Sequence, residues 1–356
     1  MIVKNRGAIS NPEGRFEKEK YERFDDGWET NAEEELLPPL ETVLFKDQAK
    51  TVITRNDSPD VGFEQSINPY RGCEHGCIYC YARPSHAYMN MSAGLDFETK
   101  IFYKVNAAQL LTKEITKPKY VCKPIILGAN TDPYQPVERK LKVTRNILEV
   151  LNQYNHPAVI ITKSSMIERD IDILEEMANR RLMSVAVSLT TLSNKLKQIL
   201  EPRTSTPKAR LRTISHLTTR GISVRVMTAP MIPMINDMEL ENILKAASEA
   251  GARHAGYTLI RLPYEGKDLF KEWLEQHFPD RANHVMNLIR QMRGGKAYDA
   301  TFGRRMRGEG VFADLLEKRF YGACKRFGLN SQPAPVLDTQ SLKRKMPSAV
   351  QLDLWS

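Results

Sequence analysis

The chain has 356 residues, of which 41% are hydrophobic, so it is long enough for one large domain with extensions or for two domains of ordinary size. No apolar run approaches the roughly 18 to 20 residues of a membrane helix, and the segment Met1 to Arg6 lacks the apolar stretch of a signal peptide. The five cysteines, three of them in one loop, do not resemble a disulfide framework and favour a reducing compartment. The sequence therefore predicts a cytoplasmic protein that has no membrane-spanning segment.

The charge of the chain is unevenly distributed. Lys and Arg total 52 against 43 Asp and Glu, a net charge of +9. Residues 1–60 carry nine basic and fourteen acidic side chains, a net charge of −5, and residues 61–356 therefore carry +14. A basic body favours polyanions such as nucleic acid, although a basic surface that is merely solvated is also common. Nucleic acid is thus one candidate partner.

Residues 1–60 are predicted to form a polar N-terminal extension. They contain the acidic runs Asp25-Asp26 and Glu33-Glu34-Glu35, followed by Leu36-Leu37-Pro38-Pro39-Leu40. Segments of this kind wrap a core or are partly disordered, and we expect no separate domain here.

From residue 61 onwards, short runs rich in Val and Ile alternate with longer segments of helical period, which is typical of a βαβ succession with a parallel sheet. The helices predicted near 207–220 and 238–250 end at Gly221 and Gly251, where a left-handed glycine is expected. Six strands are predicted, near residues 66–70, 124–128, 158–162, 183–189, 222–228 and 254–261.

Six βα units are compatible with an open α/β sheet or with a partial TIM-type (β/α)6 barrel, and residues 61–262 are predicted to form this core. Residues 263–356 are predicted to form a helical C-terminal extension with a basic tail, whose best helix spans 311–327. The runs Arg304-Arg305-Met306-Arg307 and Lys343-Arg344-Lys345 either follow a phosphate backbone or form a solvated loop and tail.

Cysteine is concentrated in one loop directly after the first predicted strand, where Cys73, Cys77 and Cys80 have the spacing C-x3-C-x2-C. Three thiolates suit a 4Fe-4S cluster whose fourth iron stays open to bind another molecule. A structural zinc site would need a fourth ligand at similar spacing, and only His75 lies inside the loop, which favours the cluster. Parallel α/β folds place their chemistry where strands end, so the loop's position favours the barrel.

The segment from Arg71 to Tyr81 resembles the cluster loop of the radical S-adenosylmethionine (SAM) enzymes. The segment from Leu127 to Pro136, with its run Asn-Thr-Asp-Pro-Tyr-Gln-Pro, resembles the branch related to spore photoproduct lyase, and the resemblance spans roughly residues 64–262. It implies the radical SAM (β/α)6 core, with a 4Fe-4S cluster and SAM as cofactors. It also implies an external electron donor of the flavodoxin or ferredoxin type.

Carried over to this chain, the resemblance makes Cys73, Cys77 and Cys80 the cluster ligands and places Tyr79 beside the adenine of SAM. The further SAM contacts that it implies come from the ends of later strands and a loop, at Gly128, Asn130 and Thr131, at Lys163, at Ser188 and at Arg203.

The chain departs from spore photoproduct lyase at the residue that the lyase uses as hydrogen donor, a cysteine just after the second strand. This chain has Ala129-Asn130-Thr131 there, whereas Cys122 precedes the strand and Cys324 lies on the apolar face of the C-terminal helix. Tyr81 matches a tyrosine that the lyase uses beside that cysteine, and it is the candidate catalytic residue for relaying a hydrogen atom. We therefore do not expect a true spore photoproduct lyase.

The resemblance thus predicts an enzyme that cleaves SAM reductively and abstracts hydrogen from a substrate with the resulting 5′-deoxyadenosyl radical. Nucleic acid is one candidate substrate. The alternative is a nucleic-acid-binding iron–sulfur protein whose cluster has a structural or redox-sensing role.

Overall fold

The structure is a computed structural model that describes residues 5–16 and 40–344. The acidic runs at 25–26 and 33–35 lie outside the described residues. Within this part of the chain, no helix has the length and apolar character needed to cross a membrane.

The core is a seven-stranded sheet in which six consecutive strands run parallel. All six were predicted from the sequence, and each lies within a few residues of its predicted position. Short apolar runs rich in Val and Ile form these strands because both faces of a parallel sheet are covered. The sheet has the order β10-β9-β8-β7-β6-β3-β2. At one edge, β2 is antiparallel to β3, and from β3 to β10 each strand is parallel to its neighbours. The strands are β2 (Thr54–Arg55), β3 (Gln65–Ile67), β6 (Ile125–Leu127), β7 (Ala158–Thr162), β8 (Met183–Ser188), β9 (Ser223–Met231) and β10 (His254–Leu259).

The sheet does not close on itself, because β2 and β10 form its two edges. Strands that follow one another in sequence are neighbours in space, with helices between them, which is the arrangement of a partial TIM-type barrel with six βα units. The gap between β2 and β10 is called the lateral opening below. The predicted fold class, an α/β (β/α)6 partial barrel, is confirmed.

Helices connect the strands and extend the C-terminal part. In α7, Pro207 occupies the first turn and the Thr206 hydroxyl accepts a hydrogen bond from the Ala209 amide, which caps the helix. The helices are α1 (Leu95–Thr99), α2 (Ala107–Ile115), α3 (Glu138–Leu141), α4 (Val143–Gln153), α5 (Ile171–Asn179), α6 (Asn194–Leu200), α7 (Pro207–Thr219), α8 (Leu240–Glu249), α9 (Gly266–His277), α10 (Ala282–Gln291), α11 (Arg304–Arg307) and α12 (Val311–Arg326), with 3₁₀ helices at Arg83–Met89, Ser165–Asp170 and Asp237–Glu239.

Two of the predicted helix ends depend on glycine. Gly221 and Gly251 follow α7 and α8 with φ values of +72° and +106°, in the left-handed region that disfavours residues with a Cβ. At Gly251 an added Cβ would lie 2.5 Å from the Thr218 hydroxyl, so this position also lacks space for a side chain.

A second, three-stranded sheet attaches the described part of the N-terminal extension to the core. It has the order β1-β5-β4, with β1 (Val43–Asp47) parallel to β5 (Lys100–Lys104) and β4 (Tyr70–Arg71) antiparallel to β5. Because β4 directly precedes the cysteine loop, this sheet holds one end of that loop.

The C-terminal segment after α12 crosses the N-terminal edge of the main sheet. The Asp338 amide donates to the Arg181 carbonyl, and the Lys343 amide donates to the Tyr154 carbonyl. The Arg344 guanidinium donates to the carbonyls of Pro118 and Tyr120. All four acceptors precede core strands, so this segment covers the end of the barrel opposite the cysteine loop; Lys345 lies outside the described residues.

Candidate active site

A cavity of about 530 Å³ lies at the C-terminal edge of the barrel, within the range of small-molecule sites, which is about 300 to 1,000 Å³. The structure places most of the sequence-predicted site residues in its wall. These are Cys73, Cys77, Cys80, Tyr79, Tyr81, Gly128, Asn130, Lys163 and Ser188. The end of each of several strands contributes a residue, as expected of a barrel that keeps its chemistry at this face.

Two predicted SAM contacts lie elsewhere. Thr131 is buried and its hydroxyl donates to the Tyr70 carbonyl at 2.8 Å. The Arg203 guanidinium is 3.2 Å from the Glu74 carboxylate and also approaches Thr42, and neither Thr131 nor Arg203 lines the cavity. Their proposed roles toward SAM stay predictions.

The cysteine loop is shaped by its own backbone and by one buried arginine. The Cys73 amide donates to the Phe97 carbonyl at 2.8 Å, and the Cys80 amide donates to the Cys77 carbonyl. Arg83, which is fully buried, donates to the carbonyls of Cys77 and Gly76 and pairs with the Glu98 carboxylate at 2.5 Å. A buried charge needs such a partner, and the pair fixes the loop from beneath.

Residues 5–16, called the strap here, cover the cysteine loop. The amides of Gly7 and Ala8 donate to the Glu98 carboxylate at 3.0 and 2.8 Å. A Cβ at Gly7 would lie 1.8 Å from the Gly76 carbonyl oxygen, so only glycine allows the strap to approach the loop this closely. The sequence indicated an N-terminal extension but not its contacts with Glu98, because those partners lie about ninety residues apart. It did not reveal the Arg83–Glu98 pair either, whose members lie 15 residues apart in two different helices.

The three loop thiols suit an iron–sulfur cluster. All are unbonded cysteines that converge on one cavity, and no group of three or more His, Cys, Asp or Glu side chains in the described residues is arranged around a single metal position. A cubane instead takes each thiolate on a different iron. Burial, with Glu201 nearby, raises the pKa of Cys77 to about 12, so the thiolate forms when metal replaces the proton.

Asp132 lies between the cysteine loop and the end of β7. Its carboxylate accepts from the Lys163 amide at 2.7 Å and the Thr162 hydroxyl at 2.8 Å, and it lies 3.3 Å from His75 Nδ1. Burial alone would raise the pKa of Asp132, but His75, these hydrogen bonds and the Lys163 charge outweigh it and hold the pKa at about 2. Asp132 is therefore ionised and ties the loop to β7.

Lys163 follows β7 and faces several anions across the cavity. Burial alone would lower the pKa of Lys163, but Cys77, Glu201 and Asp132 outweigh it, so the ammonium stays charged. Its Nζ lies 6.0 Å from the centre of the Tyr79 ring. Because the Lys163 side chain keeps its positive charge in the cavity wall, it can bind a carboxylate group such as that of SAM.

Tyr79 is fixed from behind by a buried network that the sequence did not reveal. Its hydroxyl donates to the Glu201 carboxylate, which also accepts from the Thr190 hydroxyl and pairs with Arg210. Arg210 donates further to the Ser188 carbonyl at 2.9 Å. Burial alone would raise the pKa of Glu201, but Arg210 and Lys163 outweigh it and hold the pKa at about 2. The sequence predicted a role for Arg203, two residues later, but not for Glu201.

Tyr81 stands where the chain departs from the lyase pattern. Its hydroxyl donates to the Ala129 carbonyl, and the Arg261 guanidinium lies 5.1 Å from its ring centre. Ala129 and Asn130 line the cavity at this point, so no thiol is present there. Cys122 is half-buried before β6, Cys324 is buried in α12, and neither lines the cavity.

The arginines at 304–307 are paired with carboxylates. Arg305 binds Asp60 at 2.5 Å and lines the cavity, whereas Arg304 and Arg307 pair with Glu309 and Glu317 on the surface. Asp60 follows β2, and Arg305 lies in α11, which packs against β10, so the Asp60–Arg305 pair, called the clasp here, spans the lateral opening.

Comparison with known proteins identifies the family. The profile of the Radical SAM superfamily matches residues 67–247, about half of the chain. An uncharacterised protein of Mycobacterium tuberculosis is 35% identical over 233 residues, which cover 64% of this chain and 68% of that protein. An uncharacterised protein of Methanocaldococcus jannaschii is 27% identical over 244 residues, which cover 68% of this chain and 87% of that protein.

Among solved structures, spore photoproduct lyase complexed with dinucleoside spore photoproduct aligns with a TM-score of 0.59 over 80% of each chain. Its sequence identity of 16% shows a shared fold and no more. One structure of a double mutant of that lyase contains bound SAM. The family match and the convergence of the three thiols on one cavity lead to the same conclusion: the chain belongs to the radical SAM superfamily, whose enzymes use a 4Fe-4S cluster and SAM.

Proposed function

We propose that this enzyme cleaves SAM reductively and uses the product radical to abstract hydrogen from a substrate. Cys73, Cys77 and Cys80 would hold a 4Fe-4S cluster, which when bound would pass one electron from an external flavodoxin- or ferredoxin-type donor to SAM, so that the sulfonium C–S bond is cleaved to methionine and the 5′-deoxyadenosyl radical. Transfer of a substrate hydrogen atom to that radical gives 5′-deoxyadenosine and a substrate radical.

The observation that carries the proposal is the placement of the three thiols beside a cavity large enough for a cofactor, with polar groups from three neighbouring strands facing them. Tyr79 is held by Glu201 and presents its ring to the cavity. Lys163 supplies a cation for the SAM carboxylate, and Ser188, at the end of β8, supplies a hydroxyl.

Gly128 is suited to close contact with the cofactor. Its φ is +91°, and a Cβ there would lie 2.3 Å from the Ile161 carbonyl oxygen. Only glycine therefore fits between β6 and β7, and its backbone faces the cavity. We assign Gly128 and Asn130 to the SAM amino group, since both offer acceptor oxygens at the end of β6.

The reaction differs from that of spore photoproduct lyase in its hydrogen donor. Ala129 and Asn130 occupy the cavity wall where the lyase pattern has cysteine, and Tyr81, whose hydroxyl donates to the Ala129 carbonyl, holds a transferable hydrogen at this position. We assign Tyr81 as the candidate relay, and the substrate as a molecule other than spore photoproduct.

The proposal is tested by anaerobic reconstitution with iron and sulfide, followed by reduction with dithionite in the presence of SAM. We expect one cubane cluster per chain, by iron analysis and electron paramagnetic resonance, and conversion of SAM to 5′-deoxyadenosine and methionine. A cluster that is reduced normally but never cleaves SAM would support the structural or redox-sensing alternative. Bound zinc without iron would contradict both functions.

A further inference from the structure

Four cationic side chains line the cavity, and they differ in how their charge is balanced. Lys163 faces Asp132, Glu201 and the thiols, and Arg305 is held by Asp60. Arg261 and Arg55 also line the cavity, and neither has a carboxylate partner among the described residues. The uncompensated positive charge therefore lies on the side of the lateral opening.

Arg261 is the more confined of these two arginines. It follows β10 directly, and its Nε is buried with no hydrogen-bond partner in the described part of the chain. Its Nη1 contacts only the Met306 sulfur at 3.4 Å, a weak acceptor, and its guanidinium lies against the Tyr81 ring. A buried guanidinium N–H without an acceptor is costly, so an arriving acceptor would gain more here than at a solvated arginine.

The ligand that satisfies a guanidinium best is a planar or tetrahedral oxyanion bound through two parallel N–H groups. We propose that the substrate carries a phosphate group that binds Arg261, with Arg55 adding to the attraction at the lateral opening. This inference rests on the proposed function, because it places the anion of the substrate beside Tyr81, the candidate hydrogen relay. It names the chemical class of the substrate and leaves open whether the phosphate belongs to a nucleic acid or to a small molecule.

The test uses the reconstituted protein saturated with SAM, and inorganic phosphate and a short single-stranded DNA oligonucleotide as probes. Binding is measured by calorimetry for phosphate and by fluorescence anisotropy for labelled DNA. We expect Arg261→Gln to weaken binding at least tenfold. Arg261→Lys should restore part of the affinity, because lysine keeps the positive charge but lacks the two parallel N–H groups of the guanidinium. The matched control is Arg220→Gln, which removes an exposed arginine paired with Glu175 outside the cavity.

The two probes separate the sources of the anion. Arg261-dependent binding of DNA, with the slope of log affinity against log salt reduced by about 0.7 in Arg261→Gln, identifies a nucleic-acid phosphate. Arg261-dependent binding of phosphate alone identifies a small anionic substrate. Equal affinity of wild type and Arg261→Gln for both probes, or no binding of either probe, would overturn the proposal.

A second measurement needs no variant. Phenylglyoxal modifies accessible arginines, and peptide mapping of the wild-type protein shows which ones react. We expect phosphate to protect Arg261 and to leave Arg220 unprotected; equal modification of Arg261 with and without phosphate would contradict the proposal. Cleavage of SAM by the wild type is measured separately, so a failure of the anion site is distinguished from a failure of the proposed function.

Discussion

At the scale of single residues, the buried thiols show how strongly this loop depends on metal. Burial raises the pKa of Cys73 well above its usual range, with Asp132 and the other two thiols adding to the effect. The protonated thiol is therefore the stable form until iron replaces the proton.

Substitution of single cysteines tests these ligand assignments. We expect Cys77→Ala to abolish cluster assembly, because it leaves the cluster with only two of its three cysteine ligands. Cys122→Ala and Cys324→Ala are the controls, since both cysteines lie outside the cavity. Iron content and SAM cleavage report the result, and loss of iron from a folded Cys122→Ala protein would reveal a fourth cysteine ligand.

His156 makes folding stability depend on pH far from the cluster. It is fully buried before β7, where its Nε2 lies 2.8 Å from the Tyr120 hydroxyl, and burial lowers the pKa of His156 from 6.5 to about 4. The folded state therefore binds this proton more weakly than the unfolded chain. The stability due to neutral His156 is fully present above pH 6.5 and is lost as the pH falls towards 4.

We expect the free energy of unfolding of the wild type to fall by on the order of 3 kcal/mol more than that of His156→Gln between pH 6.5 and 4. The glutamine retains hydrogen-bonding capacity and does not titrate, so it isolates the His156 contribution from that of other groups. Urea unfolding at several pH values measures the difference. Parallel pH profiles for the two proteins would contradict this assignment.

At the scale of elements, the clasp joins segments that follow the two edge strands of the sheet. Asp60 accepts two hydrogen bonds from the Arg305 guanidinium and one from the Gly303 amide, and the side chains of Asp60 and Arg305 are 9% and 16% exposed. A partial barrel lacks the strand pairing that closes a full barrel. Here a side-chain pair spans the gap, and it can open without breaking any backbone ladder.

The clasp is tested by removing its carboxylate. We expect Asp60→Asn to destabilise the protein by on the order of 2 kcal/mol, because Arg305 is left largely buried without a counter-charge. Hydrogen exchange should become faster in residues 56–63 and 303–307 and stay unchanged in the cysteine loop.

The matched control is Glu317→Gln, which breaks the exposed Arg307–Glu317 pair from the same four-residue helix. An exposed pair of this kind contributes about 0 to 1 kcal/mol. Equal effects of Asp60→Asn and Glu317→Gln on stability and exchange would show that the clasp is an ordinary surface pair.

At the scale of the whole molecule, local sequence patterns predicted the strands of the barrel. The pairing of segments far apart in the sequence was not predicted. Most of the six parallel strands were predicted because they are short runs rich in apolar residues, as in β6 and β7. By contrast, β1 has mixed exposure and no clear alternation, and its pairing with β5 arises only in the folded chain. The sequence carried no signal for it.

The candidate site likewise combines residues that a local sequence pattern predicted and residues that it did not. The spacing of the three cysteines predicted the cluster loop, because metal ligands that lie close in sequence leave a local signature. The Glu201–Arg210 pair, the Arg83–Glu98 pair and the cavity position of Arg261 have no such signature, since each depends on where separate elements meet. The proposed metal ligands were therefore predictable, and the side chains that orient them were not.

The strap has a consequence for the order in which the protein is assembled. Its residues are the first of the described segments to be synthesised, yet Gly7 and Ala8 bind the Glu98 carboxylate and Gly7 lies against Gly76. The strap can take its final position only after the cysteine loop and α1 have formed beneath it. The strap is thus fixed late, and until then the cysteine loop stays uncovered on that side.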